Sequence, residues 1–263
     1  MVIGYLLALL CVGWQHVLGK DVKEEPNQIG PRVIGGVVTT NAKLGGYMMV
    51  LKYKKEFICG GTLIHELIVL TAAHCFIDMP KTEYWTVTGG VSRRGLDKGE
   101  VRQVKSFLRP NNFDQTNMHM DVALMRLAKP MKGLNIAKIP LCTGPLEAGA
   151  MVTVSGWGLK QPENVKPEKL LRRVEVPIID KKSCSDAHLP KVKLTSTVLC
   201  AGVLGRRDAC TFDSGGPLVY QGHVCGIVSF GIGCASRRYP GVYTDVNHVK
   251  PFIKESMQKL LNS

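Results

Sequence analysis

Asp208-Ala209-Cys210-Thr211-Phe212-Asp213-Ser214-Gly215-Gly216-Pro217 is the stretch on which the rest of the chain turns. Gly215 and Gly216 let the backbone follow a tight, crowded path beside Ser214. Such a path exposes the hydroxyl and aims backbone N–H groups at one point outside the chain. A serine hydroxyl is a weak nucleophile alone; it needs a base, and the base needs a third group to hold it. The stretch therefore calls for a histidine and a buried carboxylate elsewhere.

Both are present. Thr71-Ala72-Ala73-His74-Cys75 follows the apolar run Leu63 to Leu70, which reads as strand, and Asp121 opens the largely apolar segment Asp121-Val122-Ala123-Leu124-Met125-Arg126-Leu127. Ser155-Gly156-Trp157-Gly158 stands between them and the serine. From about Val33 to the C-terminus the chain resembles the trypsin-like serine proteases of the chymotrypsin family, with His, Asp and Ser in that family's order. The resemblance implies an all-β fold: two six-stranded antiparallel β-barrels with the active site between them, plus a C-terminal α-helix. It implies a secreted endopeptidase in which His74, Asp121 and Ser214 are catalytic and the backbone N–H groups of Phe212 and Ser214 form the oxyanion hole. No cofactor is implied.

The chain divides accordingly. Residues 1–19 are apolar, too short for a comfortable membrane span and followed at once by polar residues, so they read as a signal peptide; later runs do not approach spanning length. Residues 20–32 are a charged propeptide. Residues 33–263 are the protease domain, with a first barrel over about 33–140 and a second over about 141–246. A helix over about 247–261 carries Phe252, Ile253, Met257, Leu260 and Leu261 at helical spacing, and Pro251 lies close enough to its start to be tolerated. Val50–Tyr53, Ile68–Leu70, Val101–Val104, Met151–Val154 and Val224–Val228 read as short strands between Gly, Pro and Asn turns. Val33-Ile34-Gly35-Gly36 resembles the family's mature N-terminus. The implied zymogen is cut after Arg32 by a trypsin-like activating protease, and the freed Val33 ammonium pairs with Asp213.

The chain has nine cysteines, and loss of Cys11 with the signal leaves an even number, as suits an exported protein. By resemblance Cys59 pairs with Cys75, Cys184 with Cys200 and Cys210 with Cys234; Cys142 and Cys225 remain and are expected to pair with each other. No Cys-x-x-Cys or paired Cys/His spacing suggests a metal site, and Arg93 and Arg94 stand where the family's calcium loop would want carboxylates. The formal net charge of +13 is spread over scattered basic runs. It reads as a solvated surface, or as a site for an anionic glycan or acidic protein; no nucleic-acid-binding module accompanies it.

Asp208 matches the acid at the floor of the family's specificity pocket and calls for Arg or Lys from a protein substrate. Gly231 and Gly241 match the wall glycines, Phe230 after Ser229 replaces the usual tryptophan, and Ala209 replaces a serine, tilting preference towards Arg. Phe212 departs most sharply, standing where the family has glycine. It favours a slow, narrow protease that resists large protein protease inhibitors. The alternative is a weak or inactive homologue acting as a binding or regulatory protein.

Overall fold

In a computed structural model, residues 36–158, 166–209 and 213–263 are described, and all fall in the unit Pro31–Ser263. The chain runs β1 (Val37–Val38), α1 (Asn41–Leu44), β2 (Met48–Tyr53), β3 (Glu56–His65), β4 (Ile68–Thr71), β5 (Trp85–Gly89), β6 (Glu100–Leu108) and β7 (Ala123–Leu127). It continues through β8 (Met151–Gly156), β9 (Arg172–Ile179), α2 (Lys181–His188), β10 (Val198–Ala201), β11 (Pro217–Tyr220), β12 (His223–Phe230), β13 (Gly241–Asp245) and α3 (Val246–Asn262).

The first six-stranded barrel closes in the order β2-β3-β4-β7-β6-β5. Every pairing in it is antiparallel. The second runs β9-β10-β13-β12-β11-β8 and is closed by the β8–β9 pairing. β1 lies outside that ring, pairing Val37 with Arg173 and Val38 with Arg172 on β9. The described chain thus starts against the second barrel before building the first.

The burial patterns explain the two closed sheets. β4 buries all of Ile68, Val69, Leu70 and Thr71, while β9 alternates buried and outward residues along its length. The run from Leu63 to Leu70 is not one strand: Glu66 and Leu67 turn the chain between β3 and β4, and Leu67 N–H donates to His65 Nδ1 at 3.2 Å. Trp85, Met48, Met49, Leu51 and Leu124 fill the first core. Gly61 is needed there because a Cβ would lie 2.7 Å from Leu51 Cδ1 and 2.8 Å from Val69 Cγ1.

α3 is capped by Asp245, whose Oδ1 accepts from Asn247 N–H at 2.9 Å and His248 N–H at 3.4 Å. Its buried face is Val246, Val249, Ile253, Ser256 and Leu260. The helix starts at Val246, so Pro251 falls in its second turn and removes one backbone bond there. At its far end Arg126 of β7 donates to Leu260 O, which ties a helix begun on the second barrel to the first.

Candidate active site

His74 sits in the 3-10 turn Ala73–Phe76 that follows β4, beside the Cys59–Cys75 disulfide. Asp121 lies just before β7 and is 0% exposed. Its Oδ1 accepts from His74 backbone N–H at 2.9 Å and its Oδ2 pairs with His74 Nδ1 at 2.8 Å. A carboxylate facing Nδ1 makes that nitrogen the donor and leaves Nε2 with its lone pair. Two further bonds come from the other barrel: Ser229 Oγ of β12 donates to Asp121 Oδ2 at 2.6 Å, and Thr244 Oγ1 of β13 to Asp121 O at 2.8 Å. The carboxylate is therefore held between the barrels from both sides.

Ser214 is positioned by the backbone around it. Gly60 N–H on β3 donates to Ser214 O at 2.9 Å, and Gly215 N–H donates to Val228 O at 2.9 Å. Gly215 has φ +75°, and a Cβ there would meet Thr71 Oγ1 at 2.1 Å and Gly60 O at 2.6 Å, so only glycine fits. Among the described residues Ser214 Oγ makes no hydrogen bond to His74; such bonds are often loose until substrate binds. Asp213 is buried against the Ser155–Gly158 turn: Gly158 N–H donates to its Oδ1 at 2.7 Å. A Cβ at Gly156 or Gly158 would come within 2.0 or 2.3 Å of that carboxylate, which explains both glycines of the motif.

A cavity of about 270 Å³ opens beside Ser214, with Asp208, Ser229, Phe230, Gly231 and Gly241 in its walls. Asp208 is only 3% exposed. Its Oδ2 accepts from Ala235 N–H at 3.2 Å, while Oδ1 has no hydrogen-bond partner among the described residues. Burial pushes the carboxyl up to about 7, opposed by backbone N–H groups of Ala235 and Ala209. A Cβ at Gly241 would lie 2.3 Å from Asp208 Oδ1, and one at Gly231 would lie 3.3 Å from Gly233 O. Ala209 adds no hydroxyl to this pocket. Tyr243, a residue with no local motif to mark it, also lines the pocket with its hydroxyl buried beside the Ala209 backbone. Burial first, and then the neighbouring Asp208, push its ionisation well above the ordinary range. The pocket is thus a cavity ending in a buried acid with no cation beside it among the described residues, and a side chain with a terminal positive charge would complete it.

Cys142–Cys225 and Cys184–Cys200 are also bonded. Cys234 is disulfide-bonded; Cys210, its expected partner, lies outside the described residues. So do Phe212, Arg32 and Val33, the residues expected to supply one oxyanion donor and the activation bond. Ligand atoms of Cys59, His74 and Cys75 come within 4.8 Å of one another, but the two sulfurs are bonded to each other and are not free to take a metal.

Residues 33–253 match the family model described as Trypsin. The chain is 57% identical over 231 residues to the protein named Seminase of Drosophila melanogaster, covering 88% of this chain and 84% of that one. It is 35% identical to the vitellin-degrading protease of Bombyx mori, covering 93% of each. With a trypsin of Sarcophaga bullata the identity is 34%, over 89% of this chain and 92% of the relative.

Proposed function

The chain belongs to the trypsin family and is a serine endopeptidase, and from that premise we propose that it cleaves proteins after Arg, and less readily Lys, once activated behind Arg32. The observation that carries the specificity is Asp208: buried, with one oxygen unpartnered among the described residues, at the end of a cavity that Gly231 and Gly241 keep open. An arriving guanidinium would give Oδ1 its missing donor and bind the carboxylate with two parallel bonds. It would also restore the charged form of Asp208. Lysine reaches the same acid as a point charge and gains less.

In the proposed mechanism Ser214 Oγ attacks the peptide carbonyl while His74 Nε2 takes its proton. Asp121 holds His74 with Nε2 unprotonated and stabilises the imidazolium as it forms. The proton on Nε2 then passes to the leaving amine, and water attacks the acyl-enzyme by the same route. The backbone N–H groups of Ser214 and Phe212 receive the developing oxyanion. Cleavage after Arg32 would free the Val33 ammonium to pair with Asp213, setting the loop that carries Ser214. The apolar start of the chain supports secretion, and the name of the Bombyx mori relative, vitellin-degrading protease, supports protein substrates. The alternative, a weak or inactive homologue acting as a binding or regulatory protein, has Phe212 as its main support.

The test is a peptide-library profile of the protein cleaved at Arg32. Cleavage after Arg above Lys, and far above Phe or Leu, is expected. Efficient cleavage after apolar residues would refute the assignment of Asp208.

A further inference from the structure

We propose that Arg206, Arg207, Arg237 and Arg238, with Lys191, form a binding surface for a linear sulfated polysaccharide on the floor side of the specificity pocket, outside the cleft. The two arginine pairs are remote in sequence but lie on turns joined by one hydrogen bond, Gly205 N–H to Ser236 O at 3.0 Å. The first turn is closed by Val203 N–H to Arg207 O at 2.8 Å and Arg207 N–H to Val203 O at 2.9 Å. The second is pinned at Ser236, whose Oγ accepts from Arg238 N–H at 3.1 Å and Tyr239 N–H at 3.0 Å. Arg238 Cζ and Lys191 Nζ both lie over the Tyr239 ring, at 5.3 and 5.2 Å from its centroid. Arg207 directly precedes Asp208, and Ser236 directly follows Ala235, which bonds Asp208, so both turns flank the pocket floor.

These cations are exposed and, among the described residues, none of them is in a salt bridge. Elsewhere on the surface basic side chains do pair with acids, as in Arg93–Asp97, Arg102–Glu100, Lys132–Glu66, Lys182–Asp186 and Lys259–Glu255. Like charges gathered at the surface, beside an Asp208 that is itself buried, raise a positive potential that a polyanion relieves. Four of the five are arginines, whose planar fork suits the oxygens of a sulfate. A protein partner is less well matched, because protein interfaces need an apolar centre with aromatic anchors. Here the one aromatic ring is half-buried and already covered by cations, and Leu204 is the large apolar residue exposed in the two arginine turns. Because the turns lie behind Asp208, while Ser214 is at the open side, an occupant would leave the cleft free for substrate.

The experiment measures binding of the full chain to a heparin decasaccharide at several salt concentrations. One variant changes the four arginines to Gln; a control of equal charge changes the exposed Lys43, Lys98, Lys129 and Lys254 to Gln; a third changes the arginines to Lys. The arginine-to-Gln variant is expected to lose at least tenfold in affinity and to show a shallower salt dependence, as fewer counterions are released. The control is expected to lose less than about twofold, and the arginine-to-Lys variant to fall between. Equal losses in the two Gln variants would reduce binding to net charge and overturn the proposal. So would displacement of the decasaccharide by a poly-glutamate decamer at equal concentration, which would point to an acidic protein instead.

Discussion

Replacing Asp208 with Asn should stabilise the empty protease while abolishing its recognition of cations. Burial moves the carboxyl from its ordinary 3.8 to about 7. Between those two values the native state holds a proton that the unfolded chain has released, so stability falls as pH rises through this window. Each pH unit is worth about 1.4 kcal/mol, so an ionised, uncompensated Asp208 costs on the order of 4 kcal/mol at pH 8. Asn removes the charge and keeps the shape. Its advantage over the parent should be near zero at pH 4 and grow to several kcal/mol by pH 8, with about 4 kcal/mol an upper bound. The measurement is urea unfolding of both proteins at pH 4, 6 and 8, in a Ser214→Ala background to prevent self-digestion; other carboxyls cancel in the difference. Benzamidine, a small amidinium, should stabilise the parent strongly at pH 8, less at pH 5, and the Asn variant hardly at all. A difference between the two proteins that is flat in pH, or a variant less stable at pH 8, would refute the argument.

Two other outcomes follow from the geometry. Ser229→Ala removes a 2.6 Å donor from the buried Asp121, and a hydrogen bond to a charged group is typically worth about 1.5–3 kcal/mol. A fall in kcat of about tenfold or more with little change in KM is expected; steady-state kinetics on an Arg ester showing less than a twofold fall would contradict it. The Cys142→Ala, Cys225→Ala double variant opens a bond that spans a sequence separation of 83; a loss of about 2–4 kcal/mol is expected in urea unfolding, and a loss below 1 kcal/mol would contradict it.

What was readable in the chain, and what was not, follows from how local each signal is. Ser214, His74 and Asp121 stand out because each sits in a short motif with a chemical reason for its neighbours. The structure adds steric reasons, at Gly215 against Thr71 and at Gly156 and Gly158 against Asp213. Ser229 enters the sequence reading only as the neighbour of Phe230 in the pocket motif. Its hydroxyl also holds Asp121, a partner 108 positions away that no local pattern announces. Tyr243 escaped notice for the same reason, since a tyrosine in a strand reads as ordinary core. The β3–β4 turn was hidden because Glu66 and Leu67 include neither Gly nor Pro, and the apolar run continues on both sides. Helix α2 is mostly polar and buries only Cys184 and His188, so it carries little helical periodicity; its clearest mark is the cap, Asp180 Oδ1 accepting from Ser183 N–H at 2.9 Å. β1 is too short to show in any pattern, and its place on the second barrel is a tertiary fact.

On the proposed mechanism Ser214 becomes a nucleophile, activated by His74, when the chain is cut after Arg32. This is tested most directly by treating the protein, before and after controlled cleavage there, with a fluorophosphonate and locating the label by peptide mass spectrometry. Near-stoichiometric labelling of Ser214 is expected in the cleaved protein, little in the uncleaved one, and none in His74→Ala on the same timescale. A cleaved and folded protein whose Ser214 stays unlabelled, or an uncleaved one that labels equally fast, would contradict it.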